Sequence, residues 1–198
     1  MFSGIIEEVG MVRYVRELDG AREICIEANA ILEGLNPGSS ISLDGACHTV
    51  VSILDGGFIV HSIATTLSRT LSGLYIEGSK VNLERSLVIE SLLDGHLVQG
   101  HVDGMGELVT VSEKGDHRLL TFRVPAEISG QTVIHGSIAI NGVSLTVNDL
   151  TDDDMCEIGI IPFTWENTNI NNLNLGDLVN IESDMIGKYI QKMLSGSE

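Results

Sequence analysis

The chain has 198 residues, enough for one large or two small domains, and its 28 Asp and Glu against 11 Lys and Arg give a formal charge of -17. That charge repels phosphate backbones and anionic membranes, and an aromatic content of 4% supplies few rings for stacking bases, so nucleic-acid and membrane-surface binding are excluded. Three cysteines, Cys25, Cys47 and Cys156, without close pairs, an opening MFSGIIEEVG without a basic region, and no apolar run near the roughly 18 residues of a membrane helix predict a cytoplasmic chain free of disulfides.

In chain order, short apolar runs bounded by Gly, Asn, Asp or Pro predict strands: SISLDGA from residue 40, GGFIVHSI from 56, KVNLERSLVI from 80, HRLLTFRV from 117, SIAING from 137 and LVNIES from 178. ANAILEGLNPGS and PAEISGQTVIHGS each predict one short helical turn stopped by glycine, just ahead of a strand. The tail differs in kind. Ile186, Tyr189, Ile190, Met193 and Leu194 fall on one helical face, with Asp184 as N-cap, Lys188 and Lys192 toward the far end and Gly196 as stop. A stripe of this kind serves subunit association or packs on its own chain.

The sequence also repeats itself. LVQGHVDGMG, residues 97–106, restates MFSGIIEEVG, so that Gly100 falls on Gly4, Val102 on Ile6 and Gly106 on Gly10. SISLDGACHTV (40–50) aligns with SIAINGVSLTV (137–147), HSIATTLSRT (61–70) with GIIPFTWENT (159–168), and GSKVNLE (78–84) with GDLVNIE (176–182). Several blocks in one order, at a register of about 96 to 98 residues, establish a tandem duplication. The expected fold is all-β: two six-stranded antiparallel barrels, 1–94 and 95–183, followed by a C-terminal helix and tail at 184–198. Cys47 stands where the second repeat has Ser144, and His48 where it has Leu145, so two pockets of one shape carry different groups.

MFSGIIEEVG, the DGACHTV and NGVSLTV pair, GHLVQGHVDG and GDLVNIESDMIGKYIQKML resemble riboflavin synthase of the type built from two lumazine-binding repeats. The resemblance implies Greek-key barrels, a homotrimer held by C-terminal helices, and active sites between the first barrel of one subunit and the second of its neighbour. It implies no cofactor. Two molecules of 6,7-dimethyl-8-ribityllumazine per active site exchange a four-carbon unit, giving riboflavin and 5-amino-6-ribitylaminouracil. Position by position, it places Gly4, Ile5 and Ile6, then Cys47, His48 and Thr49, then His61, Ser62, Ile63, Ala64, Thr65 and Thr66 at a first ligand, with Ser3, Cys47 and Thr49 facing the ring. A second ligand would meet Gly100, His101 and Val102, then Ser144, Leu145 and Thr146, then Gly159, Ile160, Ile161, Pro162, Phe163 and Thr164, with His135 in addition.

The resemblance makes Cys47, His101, Ser144, Thr146 and Asp184 the catalytic candidates. His101 can carry a proton near neutral pH, and Cys47, Ser144 or a water can add to a ring, with Thr146 and Asp184 as hydrogen-bonding partners. The residues alone leave simpler roles open. Cys47 can be a small buried hydrophobe, Ser144 and Thr146 strand residues, and Asp184 only a cap. His96 and His101, five apart on an expected strand, point to opposite faces and form no metal pair, and His48 and His117 are expected at the surface or in packing. The chain departs from the family pattern at His48, which is usually apolar there, at SLLDGH, at Thr65 and at FTW (163–165). A non-catalytic lumazine-binding antenna protein is the alternative, and the intact set His101, Ser144, Thr146 and Asp184 stands against it. A flavin-reductase barrel would need a nucleotide-binding turn, and GMGELV lacks that context.

Overall fold

Runs of alternating burial close each repeat into its own barrel in the computed structural model, which describes residues 1–151 and 153–196. The first barrel contains β1 (Glu8–Leu18), β2 (Ala21–Glu27), β3 (Ser40–Leu43), β4 (Ala46–Leu54), β5 (Gly57–Ile63) and β6 (Lys80–Arg85). The second contains β7 (Gly104–Lys114), β8 (His117–Arg123), β9 (Ser137–Ile140), β10 (Val143–Leu150), β11 (Met155–Ile160) and β12 (Leu178–Ser183). The first closes in the order β1-β2-β5-β4-β3-β6 and the second repeats it, every pairing antiparallel. Side chains alternate across each strand, so Ile24, Ile26, Ile41, Leu43, Phe58 and Leu83 fill one barrel and Leu120, Phe122, Ile138, Ile158 and Ile181 the other. Each fully buried side chain of this size contributes about 1.5–3 kcal/mol.

The expected helical turns are present at Ala30–Leu32, a 3₁₀ turn, and in α2 (Ala126–Ser129). Two further helices, α1 (Ala64–Arg69) and α3 (Pro162–Asn167), follow β5 and β11 within the aligned blocks 61–70 and 159–168, and each runs into a 3₁₀ turn capped by Thr70 or Thr168. KVNLERSLVI is a strand only as far as Arg85, beyond which the chain turns away to reach the second barrel. The tail helix α4 (Met185–Leu194) is capped by Asp184, whose carboxylate accepts from Ile186 N at 3.0 Å, and stops at Gly196, which has a left-handed φ of 71°. Its stripe, Ile186, Tyr189, Ile190, Met193 and Leu194, is exposed, while Lys188 on another face pairs with Asp103 at 2.7 Å. The last two residues of the expected tail, 197 and 198, lie outside the described residues.

The barrels meet about a pseudo-twofold axis at two hairpin turns. Asp44-Gly45 and Asn141-Gly142 both have positive φ at each position, the dipeptide signature of a tight two-residue hairpin. The two turns abut so closely that a Cβ on Gly45 would lie 2.8 Å from Gly142 N, and one on Gly142 2.7 Å from Gly45 N. Asparagines seal the junction: Asn82 Nδ2 donates to Asn141 O at 2.9 Å, and its counterpart Asn180 Nδ2 to Asp44 O at 2.8 Å. Asn169 N in turn donates to Asn82 Oδ1 and Leu71 N to Asn180 Oδ1. Asp44 breaks the symmetry. Its carboxylate accepts from Asn82 N, Asn169 Nδ2 and Tyr75 Oη, but complete burial outweighs these donors and pushes it up to about 7.

Candidate active site

On β4 and β10 the alternation that turns Ala46 and Val50, or Val143 and Val147, into the barrel turns Cys47 and Thr49, or Ser144 and Thr146, out onto its face. Across each face runs the segment that opens the other repeat. Ser144 N donates to Gly4 O at 2.8 Å, and Cys47 N donates to Gly100 O at 2.9 Å. Ile6 packs against the core of the second barrel, and Phe2 and Val98 bond to each other between the two segments. The grouping expected from the sequence is therefore exchanged. Gly4 lies at Ser144, with Ile6 on the core of the second barrel, while Gly100, ahead of His101 and Val102, lies at Cys47. The reason is steric: a Cβ on Gly4 would stand 2.6 Å from Ser144 Cβ, and one on Gly100 2.6 Å from Cys47 Cβ, so only glycine lets each loop cross to the opposite barrel.

Two carboxylates hold these loops, and sequence reasoning passed over both. Glu84 accepts from Ser3 N at 2.6 Å, Ser3 Oγ at 2.7 Å and Gly4 N at 3.0 Å. Glu182 accepts from Gln99 N at 2.7 Å and Gly100 N at 3.0 Å. Burial raises both above the usual carboxylate range, against the pull of those amides. The signal was present as the repeated final Glu of KVNLE and LVNIE. The Ser3 hydroxyl, expected to face a ring, is instead engaged by Glu84 and buried.

Other expected contacts also turn inward. His48 and Ser62 point into the first barrel, as Leu145 and Ile160 do into the second, so these four offer a ligand no more than backbone. His61, Ile63, Ala64 and Thr65 are exposed beside β4, with Thr66 half-buried, and His61 Nε2 lies 3.5 Å from Glu23. In the second barrel Ile161, Pro162 and Phe163 are exposed and Gly159 and Thr164 half-buried; His135, with φ of 64°, donates its backbone N–H to Val147 O in the middle of β10. Trp165 follows on α3, its ring 4.3 Å from the Arg118 guanidinium. His101 is exposed and Asp184 half-buried.

The group that sequence reasoning set aside is His96. Residues 94–103 form no regular strand, and His96 is not turned away from the site: it is buried with Nδ1 2.7 Å from Ser144 Oγ. Burial lowers its pKa, against the opposing charge of Asp184, which favours the neutral base. Its Nε2 is buried without a hydrogen-bond partner. No local pattern revealed this residue, because its partner lies far along the chain in β10. No imidazole is hydrogen-bonded to Cys47 among the described residues, and burial pushes its thiol up. Burial and the inaccessible cores account for Cys25 and Cys156.

Fold and site define a duplicated barrel protein with two related, unequal faces, one carrying Cys47 and Thr49 and the other Ser144 and Thr146. Both repeats match the model of the Lumazine binding domain, over residues 3–86 and 99–184. The chain is 37% identical to the riboflavin synthase of Bacillus subtilis (strain 168) and 36% identical to that of Actinobacillus pleuropneumoniae, each over 98% of this chain and 90% of the relative. In three dimensions it superposes on LumP complexed with riboflavin with a TM-score of 0.86 at 26% identity, covering 92% of this chain and 99% of that one. The chain belongs to the riboflavin synthase family, and each of its barrels is a lumazine binding domain. No helix among the described residues is long and apolar enough to cross a membrane.

Proposed function

We propose that the chain is a riboflavin synthase that converts two molecules of 6,7-dimethyl-8-ribityllumazine into riboflavin and 5-amino-6-ribitylaminouracil without a cofactor. The observation that carries this reading is the Ser144–His96 pair at 2.7 Å, placed at one of two matched clefts. Each cleft receives one lumazine, its pyrimidine edge read by backbone groups of the crossing loop and its ribityl chain by small hydroxyls such as Thr49, Thr66, Thr146 and Thr164. Holding two rings in reacting orientation supplies roughly 7 to 11 kcal/mol of the barrier.

The chemistry divides between the clefts. One lumazine loses a proton from its C7 methyl group, and the ring delocalises the resulting charge. His101, exposed on the loop that crosses the first barrel, is the base we assign to that proton. The other lumazine is made electrophilic by Ser144, whose proton His96 can accept; the half-buried Cys47 has no imidazole hydrogen-bonded to it among the described residues and serves as a wall. Asp184 favours the charged imidazole as it forms. The exposed stripe of α4 supports the homotrimer that the family resemblance implies, with the first cleft of one subunit facing the second cleft of its neighbour in the cytoplasm.

The test is to incubate purified protein with 6,7-dimethyl-8-ribityllumazine alone. Equal amounts of riboflavin and the pyrimidine product are expected. Tight binding without riboflavin formation would establish an antenna-type binding protein instead.

A further inference from the structure

The two barrels differ most behind the first cleft. Where the second barrel packs Leu145, Ile160 and Ile170 in its apolar core, the first has His48, Ser62 and Ser72, equally buried. Bulk is restored elsewhere, with Phe58 opposite the position of Cys156 and Tyr75 opposite that of Leu173, so the polar trio is not needed as filling. Its hydrogen bonds are directional. His48 Nδ1 lies 2.9 Å from Ala46 O, which accepts its proton and leaves Nε2 as an acceptor; the Ser62 hydroxyl donates to Nε2 at 2.5 Å, and Ser72 Oγ stands 3.4 Å away. One imidazole thereby ties β4 to β5 and to the 3₁₀ turn after α1.

That tie sits where the main chain provides none. The β4–β5 ladder runs from Leu54 and Gly57 to Val50 and Val60 and stops there. Beyond its end, the inward His48 and Ser62 are flanked in sequence by Cys47, Thr49, His61 and Ile63, which face outward as the walls of the cleft. A change in the spacing of the inward pair moves the outward ones with it. The neighbour of Ser72, Leu71, donates its amide to Asn180 of the second barrel, which anchors the third corner.

We propose that His48 is a positioning residue for the first cleft: through Ser62 and Ser72 it fixes the distance between the wall formed by Cys47 and Thr49 and the wall formed by His61–Thr66, and so orients the ligand of the first barrel and not that of the second. The proposal rests on the reading of that cleft as a lumazine site.

The test uses the full chain as wild type, His48→Leu, His48→Gln and Ser62→Ala. Riboflavin is titrated while its own fluorescence reports total binding and the emission of Trp165, the single tryptophan, reports the second barrel. Thermal melting checks that each variant folds, and kcat and KM are measured with the lumazine. His48→Leu and Ser62→Ala are expected to weaken first-cleft binding at least tenfold and to lower kcat, with the Trp165 titration within twofold of wild type. His48→Gln, whose side-chain carbonyl can accept from Ser62, is expected to recover most of the loss. First-cleft affinity and kcat unchanged in a folded His48→Leu would overturn the proposal, as would the same result in Ser62→Ala if the leucine variant does not fold. A wild-type protein that binds riboflavin only at the second barrel would overturn the underlying lumazine-site reading and the proposal with it, which separates the two failures.

Discussion

His96 Nδ1 lies 2.7 Å from Ser144 Oγ, in a pocket where burial favours the uncharged imidazole. A neutral base at hydrogen-bond distance from a hydroxyl is the arrangement that activates a nucleophile, and the first barrel offers Cys47 no such partner among the described residues. Ser144→Ala and His96→Gln should each lower kcat by roughly a hundredfold or more, the lower end of the range for a positioned acid or base. Because the two act as a unit, the double variant should be no worse than about threefold below the poorer single one. Steady-state kinetics on the three variants decides it, and fully multiplicative losses would separate the residues.

Cys47 should behave in the opposite way. Its raised thiol pKa predicts slow alkylation by iodoacetamide at pH 7, with a rate that climbs as pH rises past the ordinary thiol range. Cys47→Ser should keep kcat within about tenfold of wild type, short of the loss expected when a positioned catalytic group is removed. Rapid alkylation at neutral pH would show a thiolate that the burial of this site does not permit.

Gly4 and Gly100 let each loop reach the opposite barrel. Their positive φ values and the 2.6 Å approach of a hypothetical Cβ to Ser144 or Cys47 leave no room for a side chain. Gly4→Ala should destabilise the fold by about 1–3 kcal/mol, the usual cost of one strained backbone site. It should also disturb the second cleft before the first, visible as a change in Trp165 emission in a protein that still binds one ligand.

Asp44 gives the junction a pH dependence with a defined sign. The folded state raises its carboxyl from about 3.8 to about 7, so the stability it contributes is full below the unfolded value and is lost as pH rises toward 7. Asp44→Asn, which copies Asn141, cannot ionise. Urea unfolding at pH 5 and pH 8 should show the variant gaining on wild type by roughly 2 to 3 kcal/mol over that interval, at about 1.4 kcal/mol per unit. Parallel pH curves would contradict the buried charge.

The barrels and the duplication were legible in the sequence because strand alternation and tight Asp-Gly and Asn-Gly turns are local signals, repeated in both halves. The tail helix announced itself through its spacing and Asp184 cap. The exchange of the crossing loops was not legible, since it depends on which barrel Gly4 and Gly100 touch, a contact spanning more than fifty residues that no local pattern records. His96 was hidden for a related reason: its partner Ser144 lies forty-eight positions away. His48 was expected at the first ligand or else at the surface or in packing; its inward turn and its hydrogen bonds to β5 and the 3₁₀ turn could be seen only in the folded barrel.

The central claim is that duplication has produced two ligand clefts on one chain that differ in chemistry. The most direct measurement is an equilibrium titration with riboflavin that follows flavin fluorescence and Trp165 emission together. The account predicts two equivalents bound per chain with unequal affinities, and Trp165 emission responding to one of them. A single equivalent per chain, or a Trp165 signal that tracks both equivalents alike, would contradict it.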